Sequence, residues 1–249
     1  MAQYSTEGIV IGGSKFGEAD RILRILTKEH GKISAIAKGV RRGTSKFSGC
    51  LEPMMVNDFL LAEGRNMDIV CQAENIRSYS RIHSDYALIN CAGRLLEAAG
   101  KLTEEGLPDA MTYTLLLGAL DSLESGAQPE LTELVFKCCL LQGHGIFPDL
   151  TGCNDCGKKK TKAIHFDSRQ MSFLCNDCAG AKGVHRPISK DALNGFYGVS
   201  KAYTEMNLPY LENVKVEGNI EEALHLADEI LSAFLQAGLG RARDDRRRR

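Results

Sequence analysis

The sequence predicts a multidomain α+β chain: a small five-stranded β-barrel, then an α-helical domain interrupted by a four-cysteine metal module. Three observations carry that prediction. The first eighty or so residues alternate short apolar runs with glycine and polar turns. After Ser80 the apolar period changes to three and four. Further on, Cys153, Cys156, Cys175 and Cys178 form two Cys-x2-Cys pairs eighteen residues apart.

The strands are read at Gly8 to Ile11, Arg21 to Thr27, Lys32 to Ala37, Met54 to Ala62 and Met67 to Ile76. Each is rich in Ile, Leu or Val and bounded by Gly, Pro or polar residues. Lys28-Glu29-His30-Gly31 and Glu63-Gly64-Arg65-Asn66 read as tight connections, each with a glycine available for positive φ. Five strands in about eighty residues have the size of an OB-fold, although the strand count alone also allows an SH3-like barrel.

Helical spacing follows. Tyr86, Ile89, Ala92, Leu96 and Ala99 mark one helix; Tyr113, Leu116, Leu120 and Leu123 a second; Leu131, Leu134, Val135, Cys138 and Leu141 a third. The third ends near Gln142-Gly143-His144-Gly145, before Pro148. Beyond the cysteines, Ser189 reads as the N-cap of a helix to Tyr203, and Asn219 with Glu222 as a capping-box-like start to another. The expected organisation is 1–80 barrel, 81–150 and 186–240 as two parts of a helical domain, 151–185 metal module, and 241–249 a disordered basic tail.

Two Cys-x2-Cys knuckles at this separation are the ligand pattern of a zinc ribbon, with an iron–sulfur cluster or a redox dithiol as alternatives. Four thiolates leave no open coordination position, so one structural Zn2+ is expected. The module's few apolar side chains also require a metal to hold its fold. The other cysteines, Cys50, Cys71, Cys91, Cys138 and Cys139, lie among apolar neighbours at no ligand spacing and read as small core residues. No apolar run is long enough to span a bilayer and the N-terminus lacks the pattern of a signal peptide, so no membrane partner is expected and the cysteines fit a reducing compartment.

No Walker A loop, Gly-x-Ser-x-Gly elbow or His-Glu-x-x-His helix occurs, and the six histidines are scattered through different elements. No catalytic residues are read, and binding is favoured over catalysis. The net charge of −1 conceals segregation: Lys15 to Cys50 holds nine lysines and arginines against three carboxylates, whereas Arg81 to Gly152 holds four against ten. Lys38, Arg41, Arg42 and Lys46 crowd a glycine-rich loop after the third strand, with Lys15, Arg21 and Arg24 on or beside neighbouring strands. Arginine forks and close-approaching glycine amides suit phosphates, so these seven cations are the expected nucleic-acid contacts, with Phe47 read either as a packing side chain or as one that stacks on a base.

Several short signatures then align in order: Gly8-Ile9-Val10, Phe16-Gly17-Glu18-Ala19-Asp20-Arg21-Ile22-Leu23, Ala37-Lys38-Gly39-Val40-Arg41-Arg42, Leu51-Glu52-Pro53, Gly145 with Pro148, and the cysteine knuckles. Together they closely resemble the RecO family of bacterial recombination mediators, to about Gly240. The resemblance implies an OB-fold, a helical domain interrupted by a zinc finger, and a cytoplasmic, nucleoid-associated role in the RecF pathway of DNA repair and recombination. It implies binding of single- and double-stranded DNA, annealing of complementary strands, and loading of RecA on coated DNA. RecR, the acidic C-terminal tail of single-stranded DNA-binding protein (SSB) and RecF are the implied partners, and no enzymatic turnover is implied.

Overall fold

The computed structural model describes residues 2–43, 45–47, 49–150, 152–159, 164–184, 187–206 and 218–247, the side chains of 200–206 and 238–247 excepted. Five strands, β1 (Gln3–Phe16), β2 (Asp20–Thr27), β3 (Gly31–Ala37), β4 (Val56–Ala62) and β5 (Asp68–Arg77), close into a barrel in the order β1-β2-β3-β5-β4. Neighbours are antiparallel except β3 and β5, which meet in parallel at Ala35↔Asp68 and Ile36↔Ile69. Alternation along the strands turns Val10, Leu23, Ile25, Ile33, Ala35, Phe59, Leu61 and Val70 into one buried cluster.

β1 is much longer than the four residues its apolar run suggests. One strand serves two partners: Gln3–Ile9 pairs with β4 and Gly8–Phe16 with β2, and the register shifts between Val10 and Gly12. A glycine pair that reads as a strand end therefore marks a bulge, which bends one strand around the barrel. The two connecting glycines also differ. Gly31 has φ 68°, as expected. Gly64 is instead a close-approach site, where a Cβ would lie 1.9 Å from the Met67 carbonyl oxygen.

The chain divides into two compact units, Met1–Pro129 and Glu130–Arg249. The first unit adds α1 (Ser80–Ser84), α2 (Tyr86–Leu102) and α3 (Ala110–Ser125) to the barrel. Their period alone groups them with the helices beyond the cysteines; contacts with the strands hold them here instead. A Cβ on Gly100 of α2 would touch Ile11 at 3.2 Å. Buried Tyr113 of α3 donates its hydroxyl to Glu7 Oε1 at 2.5 Å. Lys32 donates to the carbonyls of Gly100 (2.7 Å) and Thr103 (2.6 Å), so a cation meets the negative end of α2. Just beyond α2 the chain runs beside β3, where Gly106 N–H donates to the Lys32 carbonyl at 2.8 Å.

In the second unit α4 (Pro129–Gly143) and α7 (Ile220–Arg247) are joined through Lys137. Its Nζ lies 2.6 Å from Glu133 Oε1 and 2.5 Å from Asp228 Oδ1, while the Lys137 and Glu133 side chains are 4% and 0% exposed. Between them come β6 (Ile164–Asp167), β7 (Ser172–Cys175), α5 (Asn176–Lys182), β8 (Pro187–Ile188) and α6 (Lys190–Met206). Ser189 caps α6 by accepting from Ala192 N–H (3.0 Å), and Asn219 caps α7 by accepting from Glu222 N–H (3.1 Å). Glu222 does not complete a capping box at its own helix; its carboxylate takes hydrogen bonds from the Ser189 hydroxyl and N–H, fastening the starts of α6 and α7 together. The expected disordered tail is corrected in part: α7 continues to Arg247, since alanine and arginine are strong helix formers and no proline interrupts them. Residues 248–249 lie outside the described residues. Of the five cysteines read as core, Cys91, Cys138 and Cys139 are buried, whereas Cys50 and Cys71 are half-buried.

Two outcomes are expected. Gly31→Ala forces a side chain into the left-handed region and to within 1.9 Å of the Leu107 carbonyl oxygen, so urea unfolding should show a loss of at least ~1 kcal/mol. Lys137→Met should cost about 3–5 kcal/mol by leaving Glu133 buried without its cation, and the double replacement Lys137→Met with Glu133→Leu should cost clearly less.

Candidate nucleic-acid interface and metal centre

The β3–β4 connection carries most of the basic residues, and its own apolar side chains decide where they go. Phe47 (3% exposed) and Leu51 (1%) insert into the barrel cluster. Phe47 therefore has no face to offer a base: of its two readings packing holds and the stacking contact is dropped, since its ring size and apolarity make burial the lower-energy use of it. The start of the connection is fastened to the β1–β2 turn. Gly39 N–H donates to Asp20 Oδ1 (2.7 Å), Arg41 N–H to the Ala19 carbonyl (2.9 Å), and Arg41 Nη1 to the carbonyls of Glu18 (3.0 Å) and Gly17 (3.4 Å). Gly39 adopts φ 66° to make this approach.

The clamp gathers Lys38, Arg41 and Arg42 beside Lys15 at one end of the barrel, all four exposed. Among the described residues none of these four has a carboxylate partner. Three other expected contacts are placed differently. Arg21, opposite Lys15 in the ladder, is ion-paired with Glu52 at 2.7 Å and its side chain is 18% exposed. Lys46 reaches the other side of β3, donating to the Cys71 carbonyl of β5 (2.6 Å) and lying 4.9 Å from the centre of the Phe47 ring. Arg24 stands exposed on the outer face of β2, opposite Gly12 and Ser34. Lys32, which sequence reasoning did not single out, lies close to Arg24; burial and that guanidinium lower its pKa, while Glu105 and Glu104 oppose the shift. Phe16, at the tip of β1, is 45% exposed and supplies the free aromatic surface that Phe47 does not.

The four cysteines converge. Their sulfurs all lie within 4.8 Å of one another. An ion about 2.3 Å from each sulfur of a regular tetrahedron sets them ~3.8 Å apart, and Cys156 Sγ and Cys175 Sγ are separated by 3.8 Å. The first knuckle turns at Gly157 (φ 69°), whose N–H donates to the Cys153 carbonyl at 2.9 Å. The second is the junction of β7 and α5, with Cys175 as N-cap residue. Asn154 fastens the knuckles by exchanging two hydrogen bonds with the Phe173 backbone, each 2.8 Å. Lys158 pairs with Asp177 (2.9 Å) and Lys182 with Asp155 (2.7 Å), each across the two knuckles. Burial disfavours a Cys153 thiolate, yet backbone N–H groups of Cys156, Cys175 and Asp155 and the Cys156 thiol outweigh it and lower its pKa, while hydrogen bonds with the other sulfurs and burial raise that of Cys178; the four sulfurs share protons as one cluster, which a metal ion would displace. The group fits a metal ion, with every sulfur position used. Lys158, Lys159, Lys160 and Lys162 follow the first knuckle in sequence; Lys160 and Lys162 lie outside the described residues, and Lys158 is engaged with Asp177.

Among the described residues no helix is long and apolar enough to cross a membrane. Two family models match the chain: Recombination protein O N terminal over residues 1–79, and Recombination protein O C terminal over residues 83–247. Similar proteins named DNA repair protein RecO occur in several bacteria. That of Rubrobacter xylanophilus is 38% identical over 180 residues, 72% of each chain. That of Bifidobacterium adolescentis is 42% identical over 180 residues, 70% of this chain and 73% of the relative. That of Bacillus pumilus is 28% identical over 237 residues, 93% and 91% of the two chains. With an OB-type barrel ahead of a helical region that holds a four-cysteine cluster, and with both parts matched, the chain belongs to the RecO family of DNA repair proteins.

Proposed function

We propose that this chain is a recombination mediator that binds single- and double-stranded DNA, anneals complementary strands and, with RecR, helps load RecA onto SSB-coated single strands. The observation that carries the reading is the clamp between the β1–β2 turn and the β3–β4 connection, which presents Lys15, Lys38, Arg41 and Arg42 together and unneutralised. Clustered cations of this kind take up phosphates whatever the base sequence, and each phosphate engaged releases condensed counterions. Two phosphate backbones repel each other; a surface that neutralises both raises their mutual concentration, and base pairing then drives annealing without covalent chemistry. RecR, the SSB C-terminal tail and RecF are the partners that the family likeness supports, and the bacterial cytoplasm, at the nucleoid, is the matching location.

The metal in this reading is one Zn2+, held by Cys153, Cys156, Cys175 and Cys178. Bound there it would supply a structural cross-link and no open coordination position. The small sheet β7-β6-β8 and the short α5 depend on that cross-link, since their buried side chains are few.

Replacing Lys15, Lys38 and Arg42 together by Ala should weaken binding to unrelated single-stranded sequences by similar factors. It should also flatten the slope of log K against log salt by about 0.7 for each phosphate that the variant no longer neutralises. Lys46→Ala, on the far side of β3, should change the slope less, and an unchanged slope in the triple variant would place the interface elsewhere. Elemental analysis should find one zinc per parent chain; Cys175→Ser should lose it and expose the amides of β6, β7 and α5 to rapid hydrogen exchange while the barrel amides stay protected.

A further inference from the structure

A carboxylate stands at the basic end of the barrel without neutralising it. Asp20 opens β2, opposite Phe16 in the β1–β2 ladder. The β2–β3 ladder runs from Thr27↔Gly31 to Arg21↔Ala37 and stops there, so Asp20 lies one residue past the last pair, level with Lys38. Its Oδ1 accepts the Gly39 N–H at 2.7 Å, and Gly39 meets it with φ 66°. A side chain thus supplies the contact that one more backbone pair would have made. Beyond it the connection runs in two short turns: Arg42 N–H donates to the Gly39 carbonyl (3.1 Å) and Ser45 N–H to the Arg42 carbonyl (3.0 Å). Arg41 holds the first of these turns against Gly17, Glu18 and Ala19. Among the described residues no ion pair joins Asp20 to Lys15, Lys38, Arg41 or Arg42.

Two effects of this carboxylate on DNA binding have opposite signs. By charge it opposes binding, because it repels the phosphates that its neighbours attract. By position it favours binding, because an ionised oxygen bonds an amide more strongly than a neutral one and so fixes where Lys38, Arg41 and Arg42 begin. The charge effect is that of one group, and salt screens it beyond about 8 Å at physiological ionic strength. Displacement of the connection moves three cations at once and acts on every phosphate they engage. The positional effect is the larger of the two.

We infer that Asp20 is a positioning residue of the DNA-binding surface: it contacts no DNA and acts through Lys38, Arg41 and Arg42, which its bond to the Gly39 amide aligns. The inference rests on the proposed DNA-binding function and adds to that surface a residue of the opposite charge. It makes the effect of a substitution depend on where an acceptor oxygen is placed, and not on the charge removed.

The test is equilibrium binding of the full chain to fluorescent single-stranded oligonucleotides of unrelated sequence across a salt series. Asp20→Ala removes a negative charge and should nevertheless lower affinity several-fold, flattening the salt slope by about 0.7 for each phosphate no longer engaged. Asp20→Glu keeps the charge but moves the acceptor by one methylene, and should also weaken binding. Asp20→Asn removes the charge and keeps an oxygen in place, and should bind at least as tightly as the parent. Hydrogen exchange at the Gly39 amide should quicken in the Ala and Glu variants and not in the Asn variant, with the amides of β1–β5 protected in all three. In the background of the Lys15, Lys38 and Arg42 triple replacement, Asp20→Ala should cost much less than it does in the parent, because most of what it aligns is already gone. If the triple variant loses binding while Asp20→Ala and Asp20→Glu match or exceed the parent, the positioning role is overturned and the mediator reading stands; if none of them loses binding, both fall. An undiminished loss from Asp20→Ala in the triple background would overturn the role as well, since Asp20 would then act apart from the cations. Loss in Asp20→Asn with Asp20→Glu unaffected would overturn it too, by making charge the effective property. Should Asp20→Ala lose protection throughout the barrel, the order of the Asn variant, the parent and the Glu variant decides between the two signs.

Discussion

The barrel has to be plugged at one end, and the plug comes from the same segment that carries its basic residues. Eighteen residues separate β3 from β4, residues 38 to 55, and two of them, Phe47 and Leu51, are buried in the core cluster. Burying a phenylalanine and a leucine is worth roughly 1.5–3 kcal/mol for each side chain. That anchorage limits where the preceding five or six residues can lie. Asp20 uses the constraint: its carboxylate takes the Gly39 amide, and Arg41 closes over the turn that contains it. A connection of this length would otherwise spread its charges over many orientations. Fixed at both places, it holds them in one, and the ordering entropy is met before any ligand arrives.

Charge and hydrogen bonding divide labour among the cations in a way composition does not show. Nine basic residues fall between Lys15 and Cys50, but Arg21 is matched by Glu52, Lys32 caps the end of α2, and Lys46 is drawn to a carbonyl of β5. Each of these serves the fold of the first unit. The remaining positive charge is concentrated at the turn and along the outer face of β2.

The barrel, the helices and the metal ligands are legible because each has a short-range signature: alternation of two, spacing of three and four, and paired cysteines. The zinc-ribbon spacing in particular needs no tertiary information. What is not legible is set by long-range partners. The length of β1 depends on two neighbours taking successive halves of it, and the membership of α1–α3 in the barrel's unit depends on Ile11, Glu7 and Lys32, more than sixty residues away from the groups they meet. Phe47 looks like a side chain among cations because its neighbours in sequence are cations; its neighbours in space are Leu51, Phe59 and Val70. Glu222 has the spacing to serve its own helix, and only the folded chain brings Ser189 within its reach.

The Lys137 to Asp228 ion pair spans 91 residues, and everything between them is made before it can form. A ribosome releases α4 with a buried-type lysine and glutamate already present, then the whole cysteine module, and only last the helix bearing Asp228. The cysteine module closes on local partners, Asn154 with Phe173, Lys158 with Asp177 and Lys182 with Asp155, none more than 27 residues apart. Synthesis therefore imposes an order: the knuckles can mature while α4 still waits for its partner, and a chain truncated before α7 would display an apolar helix for quality-control machinery to seize.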